Sequence, residues 1–185
     1  MGVHRKNKKT QFRQVTTTLI CITAVLGILW IMFAQADGKR SKYNAMKIGS
    51  LAPDFSATTT TGKLASLSAH RGKIVLINFW ASYCQPCVRE MPLIHQLLQS
   101  QESDIETLFI NIGETKGTVR AFMEQHEFAF PVIIDMTGKI SKQYGVIGLP
   151  ATFIIDKNGS ISKINLGEVD DTKSLESWIE DAKHS

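Results

Sequence analysis

Ile74-Val75-Leu76-Ile77-Asn78-Phe79-Trp80-Ala81-Ser82-Tyr83-Cys84-Gln85-Pro86-Cys87 is the stretch on which the fold turns. Ile74 to Trp80 is a nearly unbroken apolar run of strand length, the pattern of a β-strand covered on both faces. Pro86 suits the first turn of a helix, where its missing N–H costs nothing. From Pro86 to about Ser100 the apolar residues Val88, Met91, Leu93, Ile94, Leu97 and Leu98 recur at mostly helical spacing, with Pro92 expected to bend the helix. A buried strand therefore feeds a helix, and two cysteines sit at the joint.

That position has chemical consequences. The first turn of a helix offers unpaired backbone N–H groups and the positive end of the helix dipole. Both favour the thiolate, which is the nucleophilic form of cysteine. Two intervening residues let Cys84 and Cys87 close a small ring reversibly. Cys84, nearer the surface, is expected to attack a partner's disulfide, and Cys87, one turn deeper, to resolve the mixed disulfide. Competing readings are weaker. A zinc site needs two further ligands, and only His70 and His95 lie near in sequence, with no second paired ligand motif. A purely structural disulfide closing so short a loop constrains the unfolded chain little.

Working outward, Phe55 to Thr60 and Leu64 to Leu67 flank Gly62 as a β-hairpin. Ile105 to Ile112 is a second buried strand, Lys116 to Glu127 an amphipathic helix, Phe130 to Asp135 a third strand and Lys139 to Tyr144 a short helix. Ala151 to Asp156 and Ser160 to Leu166 are strands joined by the Asp156-Lys157-Asn158-Gly159 turn. Thr172 to Lys183 closes as a helix capped by Asp171 or Thr172. This order describes an α/β layered sandwich with a mixed sheet.

The N-terminal part differs. Of 21 basic residues, Arg5, Lys6, Lys8, Lys9 and Arg13 lie in residues 1–14, which hold no acid. The remainder carries 16 basic and 17 acidic side chains, a net charge of −1, so the overall +4 belongs to the arm. The body has no excess of cations for phosphates, which excludes nucleic-acid binding. Val15 to Ala34 then runs 20 residues without a charge, enough for a helix of roughly 30 Å, the thickness of a bilayer core. The division is a basic cytoplasmic arm at 1–14, a single-pass signal-anchor at 15–34, a tether at 35–47 and a redox domain at 48–185 on the extracytoplasmic face. Ala34-Gln35-Ala36 also fits a signal-peptidase site, so cleavage stays open as the other reading. Cys21, within the apolar run, reads as a small apolar filler.

Phe79-Trp80-Ala81-Ser82-Tyr83-Cys84-Gln85-Pro86-Cys87 resembles the active-site stretch of thioredoxin-like proteins. The wider set resembles the membrane-anchored thiol–disulfide oxidoreductases of the ResA/TlpA type: Ala52-Pro53-Asp54-Phe55, Leu76 to Trp80, Cys87-Val88-Arg89-Glu90-Met91-Pro92, Asn111-Ile112-Gly113-Glu114, Phe130-Pro131-Val132 and Gly148-Leu149-Pro150-Ala151-Thr152-Phe153-Ile154. The resemblance implies a thioredoxin-like three-layer α/β/α sandwich with an extra N-terminal β-hairpin and an inserted helix–strand unit around 114–135. It implies a cis Leu149–Pro150 bond facing the dithiol. Cytoplasmic thioredoxins carry a buried Asp where Asn78 stands, and Asn78 cannot titrate. The matching acid of the subgroup is Glu90, one turn beyond Cys87, and Glu114 matches a second. Catalytic roles are thus expected for Cys84, Cys87 and Glu90. Trp80, Tyr83, Pro86, Glu114, Leu149 and Pro150 are expected to form the substrate groove.

By the same resemblance, the substrates are protein disulfides, with the Cys-x-x-Cys-His segments of apocytochromes c (cytochrome c maturation) first among them. The electron donor is a membrane thiol carrier of the CcdA type. No cofactor or metal is expected beyond the Cys84–Cys87 pair. Reduction of proteins in spore-envelope or other envelope assembly is an alternative. A thiol peroxidase would need Pro and Thr or Ser where Ile77 and Ala81 stand. A tethered metal-binding module without catalysis is another alternative, and an oxidase that introduces disulfides is a third, against which Glu90 argues because a nearby carboxylate destabilises thiolates.

Overall fold

A computed structural model of the 185-residue chain describes residues 4–37, 46–99 and 104–184, with side chains described over 15–31, 46–97 and 104–184. The chain divides into two units, Met1–Lys42 and Tyr43–Ser185.

The first unit holds one long helix, α1 (His4–Asp37). The hydroxyls of Thr18 and Thr23 donate to the carbonyls of Val15 and Ile20, each at 2.9 Å, so these polar side chains are satisfied within the helix itself. Among the described residues no helix is long and apolar enough to cross a membrane. The expected anchor at 15–34 is therefore not supported by this helix as described. The basic arm's side chains, the side chains of the Ala34-Gln35-Ala36 site and tether residues 38–45 lie outside the described residues.

In the second unit, β1 (Ser56–Thr58) and β2 (Leu64–Ser66) pair antiparallel as the expected hairpin. Gly62 makes its turn at φ 85°, a conformation a side chain disfavours. A 3-10 turn at Leu67–His70, which no sequence pattern announced, leads to β3 (Ile74–Trp80). Then follow α2 (Gln85–Gln99), β4 (Ile105–Ile112), α3 (Lys116–Gln125), β5 (Val132–Asp135), α4 (Lys139–Gln143), β6 (Ala151–Ile155), β7 (Ile161–Leu166) and α5 (Thr172–Lys183). Helix α2 continues through Pro92 as one element. The Asp171 carboxylate caps α5 by accepting from Ser174 N at 2.8 Å.

The five-stranded sheet has the order β5-β4-β3-β6-β7. Strands β3, β4 and β5 run parallel, and β6 and β7 run antiparallel to their neighbours. Strand β3 is central, and every one of its residues is buried. Its two-residue period divides the core. Ile74, Leu76 and Trp80 face the cluster formed with Met91 and Ile94 of α2, Val119 of α3 and Leu175 and Ile179 of α5. Val75, Ile77 and Phe79 face the other cluster, with Phe55, Ile140 of α4, Tyr144 and Phe153. The Phe79 ring lies 5.7 Å from Phe153 and 5.4 Å from Tyr144, geometry that adds about 0.5–1.5 kcal/mol per aromatic pair beyond area burial. This is the thioredoxin-like α/β sandwich. The hairpin is extended by a bridge from Thr59 to Ile133 on edge strand β5, which places the extra hairpin and the α3–β5 insertion side by side.

Candidate active site

The C-terminal end of β3 and the first turn of α2 hold the two cysteines. Cys84 N donates to Ala81 O at 3.1 Å, a turn that sets Cys84 at the cap position before Gln85 opens the helix. Cys84 and Cys87 are disulfide-bonded, with Cα atoms 5.3 Å apart. Cys87 N donates to Cys84 Sγ at 3.3 Å. One otherwise unpaired helix N–H is thereby spent on the sulfur expected to carry negative charge. Cys87 is fully buried, whereas Cys84 keeps 8% exposure. An incoming chain can reach only Cys84. Pro86, half-buried, sits in the first turn.

The Leu149–Pro150 bond is cis. Leu149 packs partly buried against the cluster that contains both cysteines. Tyr83 is 73% exposed and stands next to Cys84 as a groove wall would. Trp80 does not. Its ring is wholly buried and packs 5.4 Å from Phe122 of α3. The strand period that aims Asn78 at the helix layer aims Trp80 there as well. The expected groove residue is thus a core residue beneath the site.

Two carboxylates attach to this framework. On α2, Cys87, Glu90, Met91 and Ile94 share one stripe, so Glu90 is carried into the core and is almost wholly buried. Asn78 Nδ2 donates to Glu90 Oε1 at 2.7 Å, and Val169 N donates to Oε2 at 2.6 Å. Asn78 Nδ2 also donates to Thr152 Oγ1 at 3.0 Å, its register partner on β6. Burial pushes the Glu90 carboxyl up to about 7, against the opposing pull of the Val169 and Asn78 hydrogen bonds. The other atom of the Asn78 amide, Oδ1, has no partner. Turned over, that amide would accept from a protonated Glu90, so Asn78 can face either charge state.

Glu114, half-buried, follows β4 and does something else. Its carboxylate accepts from Ser82 N at 2.8 Å, Ser82 Oγ at 2.5 Å and Asn111 Nδ2 at 2.6 Å. Burial works to raise it, but the Asn111 and Ser82 hydrogen bonds together hold it below the ordinary glutamate value. Glu114 therefore pins the 81–83 turn that presents Cys84.

Among the described residues, no group of three or more His, Cys, Asp or Glu is arranged to hold a metal ion. The chemistry on offer is a thiol pair at a helix start, one member accessible, with a buried carboxyl that titrates near neutrality one turn further along.

Residues 48–164 match the AhpC/TSA family. The thiol–disulfide oxidoreductase ResA of Geobacillus thermodenitrificans is 38% identical over 160 residues, covering 86% of this chain and 90% of its own. The chain belongs to the AhpC/TSA family, among its ResA-type thiol–disulfide oxidoreductases. The thioredoxin-like protein YneN of Bacillus subtilis is 35% identical over 150 residues, 76% of this chain and 88% of its own. A Chlorobium tepidum structure described as the thiol:disulfide interchange protein DsbE superposes with a TM-score of 0.69 at 32% identity, over 74% of this chain and 98% of its own.

In this ResA-type oxidoreductase, three participants had no signal in the linear sequence. Thr152 meets Asn78 only once the β3–β6 register is known. Val169 reaches Glu90 through its backbone, from a position 79 residues away. Ser82, quoted only as part of the active-site stretch, gains a role once Glu114 is seen to accept from it twice.

Proposed function

We propose that this oxidoreductase is a reductant of protein disulfides outside the cytoplasm, held to a membrane by residues 15–34. The observation that carries the reading is Glu90, a buried carboxyl poised at about 7 one turn from the buried sulfur. Its charge disfavours thiolates, and thiolate stabilisation is what makes a strong disulfide oxidant.

In the working direction both cysteines start reduced. The Cys84 thiolate attacks one sulfur of the partner's disulfide, and the other partner sulfur leaves as a thiolate and takes a proton. Glu90, as the carboxylate, receives the Cys87 proton through the buried end of α2. The Cys87 thiolate then attacks Cys84 Sγ, the intramolecular disulfide forms, and the second partner sulfur departs as a thiolate. Two electrons pass to the partner, which leaves as a dithiol. A dithiol carrier in the membrane returns the enzyme to its reduced state by the same steps reversed, with Glu90 giving its proton to the departing Cys87 thiolate.

The proposed substrates are Cys-x-x-Cys-His segments of apocytochromes c, and the proposed donor is of the CcdA type. The name ResA borne by the relatives supports the choice. Tyr83 and the cis-proline edge at Leu149 would cradle the extended substrate backbone. Anchorage rests on the charge-free run from Val15 to Ala34 behind five basic residues.

Trapping tests the reading. The reduced Cys87→Ala variant, offered a synthetic Cys-x-x-Cys-His peptide disulfide, is expected to accumulate a mixed disulfide through Cys84. Wild type should release the peptide as a dithiol. Absence of the adduct, or peptide left oxidised by wild type at a potential typical of strong oxidants, contradicts it.

A further inference from the structure

The segment from Asn165, near the end of β7, to Val169, before α5, touches both halves of the site. Gly167 N donates to Pro150 O at 3.0 Å, tying the segment to the cis-proline. Asn165 Nδ2 donates to Gly167 O at 2.8 Å and closes the turn. Val169 N donates to Glu90 Oε2, as described above. Glu168 receives two hydrogen bonds from the guanidinium of Arg89, Nε to Oε1 at 2.9 Å and Nη2 to Oε2 at 2.6 Å.

The register of these contacts is the informative feature. Arg89 pairs with Glu168, and the next residue on each side, Glu90, pairs with Val169. An outer ion pair and an inner hydrogen bond run in parallel between the same two backbone segments. An exposed ion pair ordinarily adds little to stability, but a two-pronged guanidinium–carboxylate contact fixes orientation. Here it fixes the orientation of the segment that supplies a donor to a buried carboxyl.

We propose that the Arg89–Glu168 pair is a positioning device that clamps the 167–169 segment against α2 and so keeps the Val169 amide seated on Glu90. The proposal rests on the reading of Glu90 as the proton-transfer group and adds what sets its working pH. Glu168 is the charged group acting on Glu90 from the facing segment, and its charge raises the carboxyl. Asn78 from β3 and Thr152 from β6 are uncharged, α5 brings Leu175 and Ile179 into the neighbouring core, and the cysteines are uncharged as a disulfide. Removing Arg89 therefore acts twice in one direction. The amide that favours the carboxylate loosens, and the Glu168 charge loses its neutralising partner. Both drive Glu90 further up.

The test uses the oxidised full chain carrying 13C-carboxyl glutamate, with Glu90→Gln identifying the Glu90 resonance. In Arg89→Gln the Glu90 ionisation should move to higher pH, and hydrogen exchange at the Val169 amide should accelerate about tenfold as the local opening becomes easier. The swapped pair, Arg89→Glu with Glu168→Arg, should return both readings to or below their wild-type positions. If Arg89→Gln leaves both unchanged, or the swap fails to restore them, the clamp is refuted. Failure of the proton-transfer reading has a different signature. In that case Glu90→Gln leaves the pH profile of thiol exchange unchanged while the Arg89→Gln shifts persist.

Discussion

Glu90 and Glu114 are the same residue type, both within reach of the Cys84–Cys87 turn, and their environments push them in opposite directions. Glu90 is sunk between α2 and the sheet with two donors, and its carboxyl rises to about 7. Glu114 lies half-exposed at the end of β4 with three donors from Ser82 and Asn111, and its carboxyl stays below the ordinary value. Burial opposes charge in both places. The number of donors set against the depth of burial decides which side wins. The first arrangement leaves a proton that can move at neutral pH. The second leaves a permanent anion whose work is to hold a turn.

The largest expected consequence is the pH dependence of stability contributed by Glu90. Its folded-state value lies above the unfolded value of 4.5, so the folded state binds the extra proton between those two points. Stability is then lost as pH rises from about 4.5 to 7, by on the order of 3 kcal/mol for a shift of this size. Denaturant unfolding of the oxidised chain at pH 5 and pH 8 should show that loss in wild type, and Glu90→Gln should remove most of it. An unchanged slope in the variant would mean that burial does not govern this carboxyl.

Glu114 should behave in the opposite sense. A depressed carboxyl stabilises the fold above its unfolded value, and that stabilisation disappears as pH falls through the folded value, in the acid range below the ordinary glutamate value. Glu114→Gln should cost about 1–2 kcal/mol at pH 7, because charge-assisted bonds to the Ser82 turn are weakened. It should also remove the acid-side loss. A variant as stable as wild type at pH 7 would show that the turn is held by other contacts. The smallest effect belongs to Ser82→Ala, which deletes the hydroxyl donor and keeps the backbone one. About 1 kcal/mol is expected, and a cost equal to that of Glu114→Gln would place the whole clamp on the hydroxyl.

The contrast between these two acids also marks what was legible in sequence. Strands β3 and β4 and helix α5 stand at the residues their apolar patterns indicated, because buried runs and a capped amphipathic helix are local signals. The cysteine pair at the β3–α2 joint was legible for the same reason. The resemblance gave Glu90 a catalytic role and Glu114 a place in the groove, but not the opposite directions in which their surroundings push them. Their difference depends on burial and on donors from other parts of the chain, Asn78 and the Val169 backbone for Glu90 and Asn111 and Ser82 for Glu114. Trp80 was misplaced because a strand tryptophan beside an active-site turn looks the same in sequence whether it faces a groove or the core. The 3-10 turn at Leu67–His70 carried no periodic signal at all.

The most direct test of the account is the rate at which a small dithiol reduces the Cys84–Cys87 disulfide, followed from pH 5 to pH 9 and corrected for ionisation of the dithiol. Wild type and Glu114→Gln should share an inflection near pH 7, where Glu90 gives up its ability to protonate the departing Cys87. Glu90→Gln should lack that inflection and run at least about tenfold slower on its acid side. Should Glu90→Gln keep the inflection, or Glu114→Gln lose it, the assignment of the mobile proton to Glu90 is wrong.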